Sequence, residues 1–279
     1  MVVVILKNNS LLKDQTVRRI LGNTQDRIAA FFAEVADFPV EINLEIIVNN
    51  FEKNKKSFAG SNRICVYLEK KNKILGQTDW LELLLAHELT HFYAIHCWGV
   101  APVIFWEGLP VLLADNYTRE RKLGHSYSAV CKLLVDRNLN IPLSELFKGE
   151  VFYQNRFDSR YDLQAASFVE FILTKYGKNS LRKAFAQYEP PSDANPICDM
   201  NIFLRSTFGE TLLCLEDGWK QYLNAFDAKS EELMKVRPIL IPLVIPKSKR
   251  CAFCYSPIRE ERDDCNFCNN KLVSVKYLF

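Results

Sequence analysis

Apolar positions along this chain change their period several times, and each change marks an element. Val2–Leu6 is a short β-branched run that reads as a strand. From about Thr16 to Ala36, the residues Val17, Ile20, Leu21, Ile28, Ala29, Phe32 and Val35 recur at three- and four-residue steps, which predicts a helix. Ile42–Val48 is a second strand by composition, and Arg63–Glu69, with Ile64, Val66 and Leu68 alternating, is a third. Leu75–Cys97 predicts a long helix that is apolar nearly all round through Leu81, Leu83, Leu84, Leu85, Ala86 and Leu89, and therefore buried. Gly99 stands where a C′ residue would end it. Helical spacing returns in Ser126–Asp136, Tyr161–Tyr176 (closed by Gly177), Ser180–Tyr188, Met200–Phe208 and Leu212–Phe226. The order β-α-β-β followed by helices predicts an α+β fold. A small N-terminal mixed sheet, residues 1–72, leads into a helical part, residues 73–235.

Beyond residue 235 the pattern changes character. Pro238, Pro242 and Pro246 punctuate Ile239, Leu240, Ile241, Leu243, Val244 and Ile245, which excludes a helix. So much apolar surface also argues against a free linker, and predicts that the connecting segment 236–250 lies extended across the preceding domain. Residues 251–279 form a separate small module built on cysteines.

At 279 residues, with 48% hydrophobic and 25% charged positions, the chain has the composition of an ordinary globular protein with a sizeable core. A net charge of +3 does not argue for nucleic acid or a membrane. Lysine clusters at Lys53, Lys55 and Lys56 and at Lys70, Lys71 and Lys73 read as solvated faces. Met1–Lys7 lacks the basic start and the apolar length of a signal peptide. No stretch reaches the length of a transmembrane helix. Five of nine cysteines (Cys65, Cys97, Cys131, Cys198 and Cys214) stand alone, as in a reducing compartment. The expected location is the cytoplasm.

The chemistry concentrates in His87-Glu88-Leu89-Thr90-His91 and in Glu107 of Phe105-Trp106-Glu107-Gly108-Leu109. A helix advances 100° per residue, so His87 and His91 share one face a turn apart and suit two ligands of one Zn²⁺. Glu88 would lie beside the metal, where a free carboxylate takes a proton from water. Glu107 follows His91 after fifteen residues, room enough for a turn and a second helix. It completes a His₂Glu set with one position open, the pattern of a catalytic zinc. The alternative is a chance match on a buried helix, but two His and a Glu there would be costly to desolvate without a partner. His96, five residues past His91, lies on the wrong side to share the ion, and His125 is the fourth histidine.

Cys251-Ala-Phe-Cys254 and Cys265-Asn-Phe-Cys268 are two CxxC knuckles ten residues apart. They predict a tetrahedral Cys₄ zinc ribbon, a closed and therefore structural site that either staples the C-terminus or docks a protein partner. A rubredoxin-like iron site or two disulfides are the rivals. The expected cofactor content is two Zn²⁺ per chain, one catalytic and one structural.

At these residues the chain resembles a gluzincin metallopeptidase of the peptidase-MA-like type. The resemblance rests on His87–His91, on Trp106-Glu107-Gly108-Leu109, and on Tyr161-Asp-Leu-Gln-Ala-Ala-Ser-Phe168 running to Lys175-Tyr-Gly177, and it spans roughly residues 1–190. It implies a zincin-like fold and a zinc-dependent peptidase with His87, His91 and Glu107 as ligands and Glu88 as base. Tyr161 holds the position from which such enzymes offer a phenol to the oxyanion, or else is a core aromatic at a helix start; Tyr153 and Tyr176 are further candidates. The resemblance also implies that an edge strand beside the metal helix pairs with extended substrate, and Arg63–Glu69, with Arg63, Ile64 and Val66, is placed to be that strand.

Three departures stand out. Pro110 replaces the usual Ala, and a helix starting before Phe105 would put it in the interior, where a kink could misplace Glu107. Val111 replaces the Asp found one turn after the ligand in thermolysin-type members. Ala59-Gly-Ser-Asn-Arg63 lacks the carboxylate with which aminopeptidases hold a substrate amine. The leading expectation is an endopeptidase acting on peptide or protein segments. A Spartan/SprT-like protease acting on DNA-bound protein would need a His as third ligand. A binding or regulatory protein on a zincin scaffold would have no use for Glu88.

Overall fold

Two β-strands and the helix between them start the fold. β1 (Val3–Asn9) and β2 (Glu41–Asn49) pair in parallel from Val3 opposite Glu41 to Asn9 opposite Ile47. A parallel pair needs a crossover, and α1 (Asp14–Phe31) supplies it. β3 (Phe58–Ala59) leads into β4 (Arg63–Glu69), which lies parallel to β2 and is flanked on its other side by antiparallel β3. The sheet order is β1-β2-β4-β3, the expected mixed sheet with one strand more than the sequence pattern predicts.

This computed structural model describes residues 3–9, 12–32, 41–49, 57–59, 63–69, 77–117, 127–155, 158, 160–189 and 196–226. The connecting segment 236–250 and Cys251, Cys254, Cys265 and Cys268 lie outside the described residues.

α1 buries Val17, Ile20, Leu21, Thr24 and Ile28, a stripe at helical spacing. Thr24 is tolerated there because its hydroxyl donates to the Ile20 carbonyl at 2.7 Å. The helix ends at Phe31, before the expected Ala36, and the next residue, Phe32, packs its ring on Trp98 at 4.7 Å and on Tyr93 at 5.8 Å. These contacts fasten the sheet region to α2 (Gln77–Cys97), which is apolar nearly all round and buried through Leu81, Leu85, Ala86, Leu89 and Phe92. Gly99, at φ +102°, donates to the Ala94 carbonyl at 2.9 Å and closes α2 with the left-handed residue that glycine adopts without strain.

The helical part continues with α3 (Val103–Tyr117), α4 (Tyr127–Asp136), α5 (Leu143–Leu146), α6 (Gly149–Gln154), α7 (Arg160–Ala186), α8 (Pro196–Phe208) and α9 (Leu212–Asn224). Gly177, at φ +77°, breaks α7 into the two helices its sequence predicts. One continuous apolar core runs from Val17 to Leu223, and the described residues on both sides of residue 72 share it. Among the described residues no helix is long and apolar enough to cross a membrane.

Buried polar side chains tie the helices together. Trp219 Nε1 donates to Ser167 Oγ at 3.1 Å, Ser167 and Ser128 hydroxyls meet at 3.1 Å, and Ser128 donates to Glu170 at 2.5 Å, which joins α9, α7 and α4. Gln164 in α7 clasps the chain ahead of α5: its Oε1 accepts from the Ile141 N–H and its Nε2 donates to the Ile141 carbonyl, both at 2.8 Å. Gln164→Leu keeps the volume but strips both partners from a buried peptide. It should lower stability by about 2–6 kcal/mol, at about 1–3 kcal/mol for each of the two orphaned groups, read as a lower urea midpoint.

The edge-strand expectation for Arg63–Glu69 is corrected here. β4 pairs with β2 along its whole length and with β3 at Ile64 and Cys65, and Ile64 and Val66 are fully buried in the core. The edge beyond β4 is β3, and Ala59 and Phe58 pair with Ile64 and Cys65. A two-residue strand carries no alternation, so the pattern reading passes over it.

Candidate metal centre

Helical geometry alone brings two imidazoles together. His87 and His91 sit one turn apart on α2 with their Nε2 atoms 3.2 Å from each other. α3 then delivers Glu107, whose Oε2 lies 3.6 Å from His91 Nε2 and 3.9 Å from His87 Nε2. The donor atoms of the three residues lie within 4.8 Å of one another, so this group could hold one metal ion. Glu88, the residue after His87, is 4% exposed and is not one of the three candidate donors.

The electrostatics favour an ionised carboxylate. Burial pushes the Glu107 pKa up, but the hydrogen bond and charge of His91, the charge of His87 and the Tyr153 hydroxyl outweigh it and hold the group at about 2. Tyr153, on α6, donates to Glu107 Oε1 at 3.0 Å. Burial and the adjacent carboxylate raise the Tyr153 phenol well above its ordinary value, so it stays protonated and donating. His91 differs: its Nδ1 is buried with no hydrogen-bond partner among the described residues. The Trp106 ring lies against the His91 ring, centroids 4.8 Å apart.

Gly108 fixes where Glu107 stands. A Cβ built on Gly108 would fall 2.5 Å from the Ala165 carbonyl oxygen and 2.9 Å from Val169 Cγ2. Only a residue without a side chain lets the backbones of α3 and α7 approach this closely, one position after Glu107. Because α3 starts at Val103, Pro110 falls in the helix interior rather than its first turn. Pro110 has no N–H for the Trp106 carbonyl, yet Glu107 still faces both histidines.

The other candidates separate. Tyr161 is 7% exposed and packs edge-on against Phe152 at 5.3 Å, the place of a core aromatic. Tyr153 is the tyrosine that meets Glu107, and six-residue α6 is too short to show a helical period. Its one sequence signal is a polar-ended aromatic next to buried Phe152. The Tyr176 ring packs on Phe208 at 5.3 Å, beside Lys175 and Glu210. Arg63 is exposed and pairs with Glu45. The His96 ring lies on Phe92, centroids 4.5 Å apart, and His125 is outside the described residues. No protein-family model matches this chain, and neither does any curated protein.

Proposed function

We propose that this chain is a zinc-dependent peptidase of the gluzincin kind, with a zincin-like fold, His87, His91 and Glu107 as ligands and Glu88 as general base. The observation that carries the reading is the convergence of His87 Nε2, His91 Nε2 and Glu107 Oε2, 3.2–3.9 Å apart, with a buried fourth residue, Glu88, directly after the first ligand. Ligands about 2.0–2.1 Å from one tetrahedral zinc stand about 3.4 Å from each other, and two imidazoles with a carboxylate are a catalytic zinc donor set. A zinc ion held there would polarise a carbonyl and bring the pKa of water down to about 7. Glu88 takes the proton of the attacking water and passes it to the departing amine. Glu107 is ionised and ready to ligate. Among the described residues the third donor is a carboxylate and the His96 ring lies on Phe92, which supports the His₂Glu reading over the DNA-directed, His-ligated alternative.

Strand addition at the sheet edge supports an endopeptidase reading. An extended peptide adding to β3 would pair through its main chain on both sides of the cleaved bond, which suits an endopeptidase. N-acetylation of a peptide substrate should leave its cleavage rate unchanged; strong loss, with residues released singly from the N-terminus, would mark an aminopeptidase. Four described cysteines (Cys65, Cys97, Cys131 and Cys214) are free thiols, which supports a cytoplasmic setting.

Metal analysis coupled to peptide-library cleavage tests the whole reading. The intact protein should carry two zinc equivalents, with the His₂Glu ion yielding first to a chelator and activity leaving with it. His87→Ala should hold one equivalent fewer. A protein that cleaves at full rate after that ion is stripped would overturn the assignment.

A further inference from the structure

We infer that Tyr153 restricts Glu107 to ligation through a single oxygen and thereby keeps a coordination position open; the inference rests on the metal-site reading above. The two oxygens of Glu107 have different partners. Oε2 faces both imidazoles, at 3.6 and 3.9 Å, and Oε1 accepts the Tyr153 hydroxyl at 3.0 Å. Carboxylates bind metals through one oxygen or through both. An Oε1 held by a phenol O–H is turned to that donor, so Oε2 alone is offered to an ion. Were both oxygens to bind, the position needed by water or substrate would be filled.

The rest of the surroundings points the same way. Ligating histidines ordinarily gain their orientation by donating the second ring nitrogen to a neighbour. His91 Nδ1 is buried without such a partner among the described residues, whereas the Glu107 carboxylate has one in Tyr153. Tyr153 can hold that post although its side of α6 faces outward and the residue is 51% exposed. The preceding Phe152 is 2% exposed and wedged on Tyr161, which anchors the helix. A phenol has a single O–H, and here it is given to Glu107. Tyr153 is accordingly a positioning residue, and Tyr161 serves it by holding α6.

Tyr153→Phe removes the hydroxyl and leaves a half-exposed ring in place, so the fold should be unaffected, as a thermal melt of the metal-free protein will show. The full-length wild type, Tyr153→Phe and His87→Ala are stripped of the exchangeable ion and titrated with Co²⁺. Subtracting the His87→Ala spectrum removes absorption from cobalt at the cysteines. The wild type should show the strong visible bands of four-coordinate cobalt, and Tyr153→Phe the clearly weaker bands of a five-coordinate ion. Identical spectra would overturn the proposal, and so would complete loss of cobalt from the variant, because the hydroxyl would then form the site rather than limit it. A wild type without a His87-dependent cobalt signal would instead overturn the metal-site reading itself.

Discussion

Glu88→Gln should cut peptide hydrolysis by about 10²–10⁴-fold, the usual contribution of a positioned general base, with zinc content unchanged. The amide keeps nearly the size and shape of the carboxylate but cannot take a proton from water. Since the three convergent donors are His87, His91 and Glu107, the ion has no reason to leave with the charge of Glu88. Steady-state kinetics beside metal analysis separates the outcomes. Wild-type turnover in Glu88→Gln would sink the mechanism, and loss of the ion would make Glu88 a ligand rather than a base.

Gly108→Ala should damage fold and metal site together. A methyl group 2.5 Å from the Ala165 oxygen meets backbone, not the yielding end of a side chain, so α3 and α7 must separate. Overpacking of this kind costs about 1–3 kcal/mol, occasionally more. The displaced residue is the neighbour of Glu107, and a functional constellation tolerates only about 0.5 Å of error. A lower unfolding midpoint and loss of the chelatable ion are therefore expected in the same variant. Gly22, inside α1 with nothing within 4 Å of its would-be Cβ, provides the control. Gly22→Ala should raise stability by about 0.5–1 kcal/mol, since alanine is the better helix former. Equal effects of the two substitutions would show that Gly108 is an ordinary helical glycine.

Much of this protein is legible in local sequence because its long elements are periodic. The apolar stripe of α1, the all-round apolar α2, the break at Gly177 and the alternation in β4 each follow from a spacing within one segment. His87 and His91 belong to that class, since a four-residue step on a helix fixes their relation. Elements of two to six residues escape this reading. β3 is too short to alternate, and α5 and α6 are too short to show a helical period, yet one forms the sheet edge and α6 carries the tyrosine against Glu107. Whether Pro110 falls in the first turn or the interior of α3 likewise depends on the helix start at Val103, which no local period marks.

The sequence by itself therefore determined the α+β order, the paired histidines with Glu88 between them, and Glu107 as the carboxylate within reach. The first two are consequences of periods along single chain segments, where covalent geometry does the positioning; Glu107 was offered by its spacing and motif, and the packing of α3 brings it to the histidines. Tertiary structure alone decided that β3 rather than β4 is the sheet edge, that Tyr153 rather than Tyr161 meets Glu107, and which oxygen of Glu107 faces the imidazoles. These depend on distances between segments far apart in the chain. Such distances are set by how closely helices pack, down to the absence of one methyl group where Gly108 lies on Ala165.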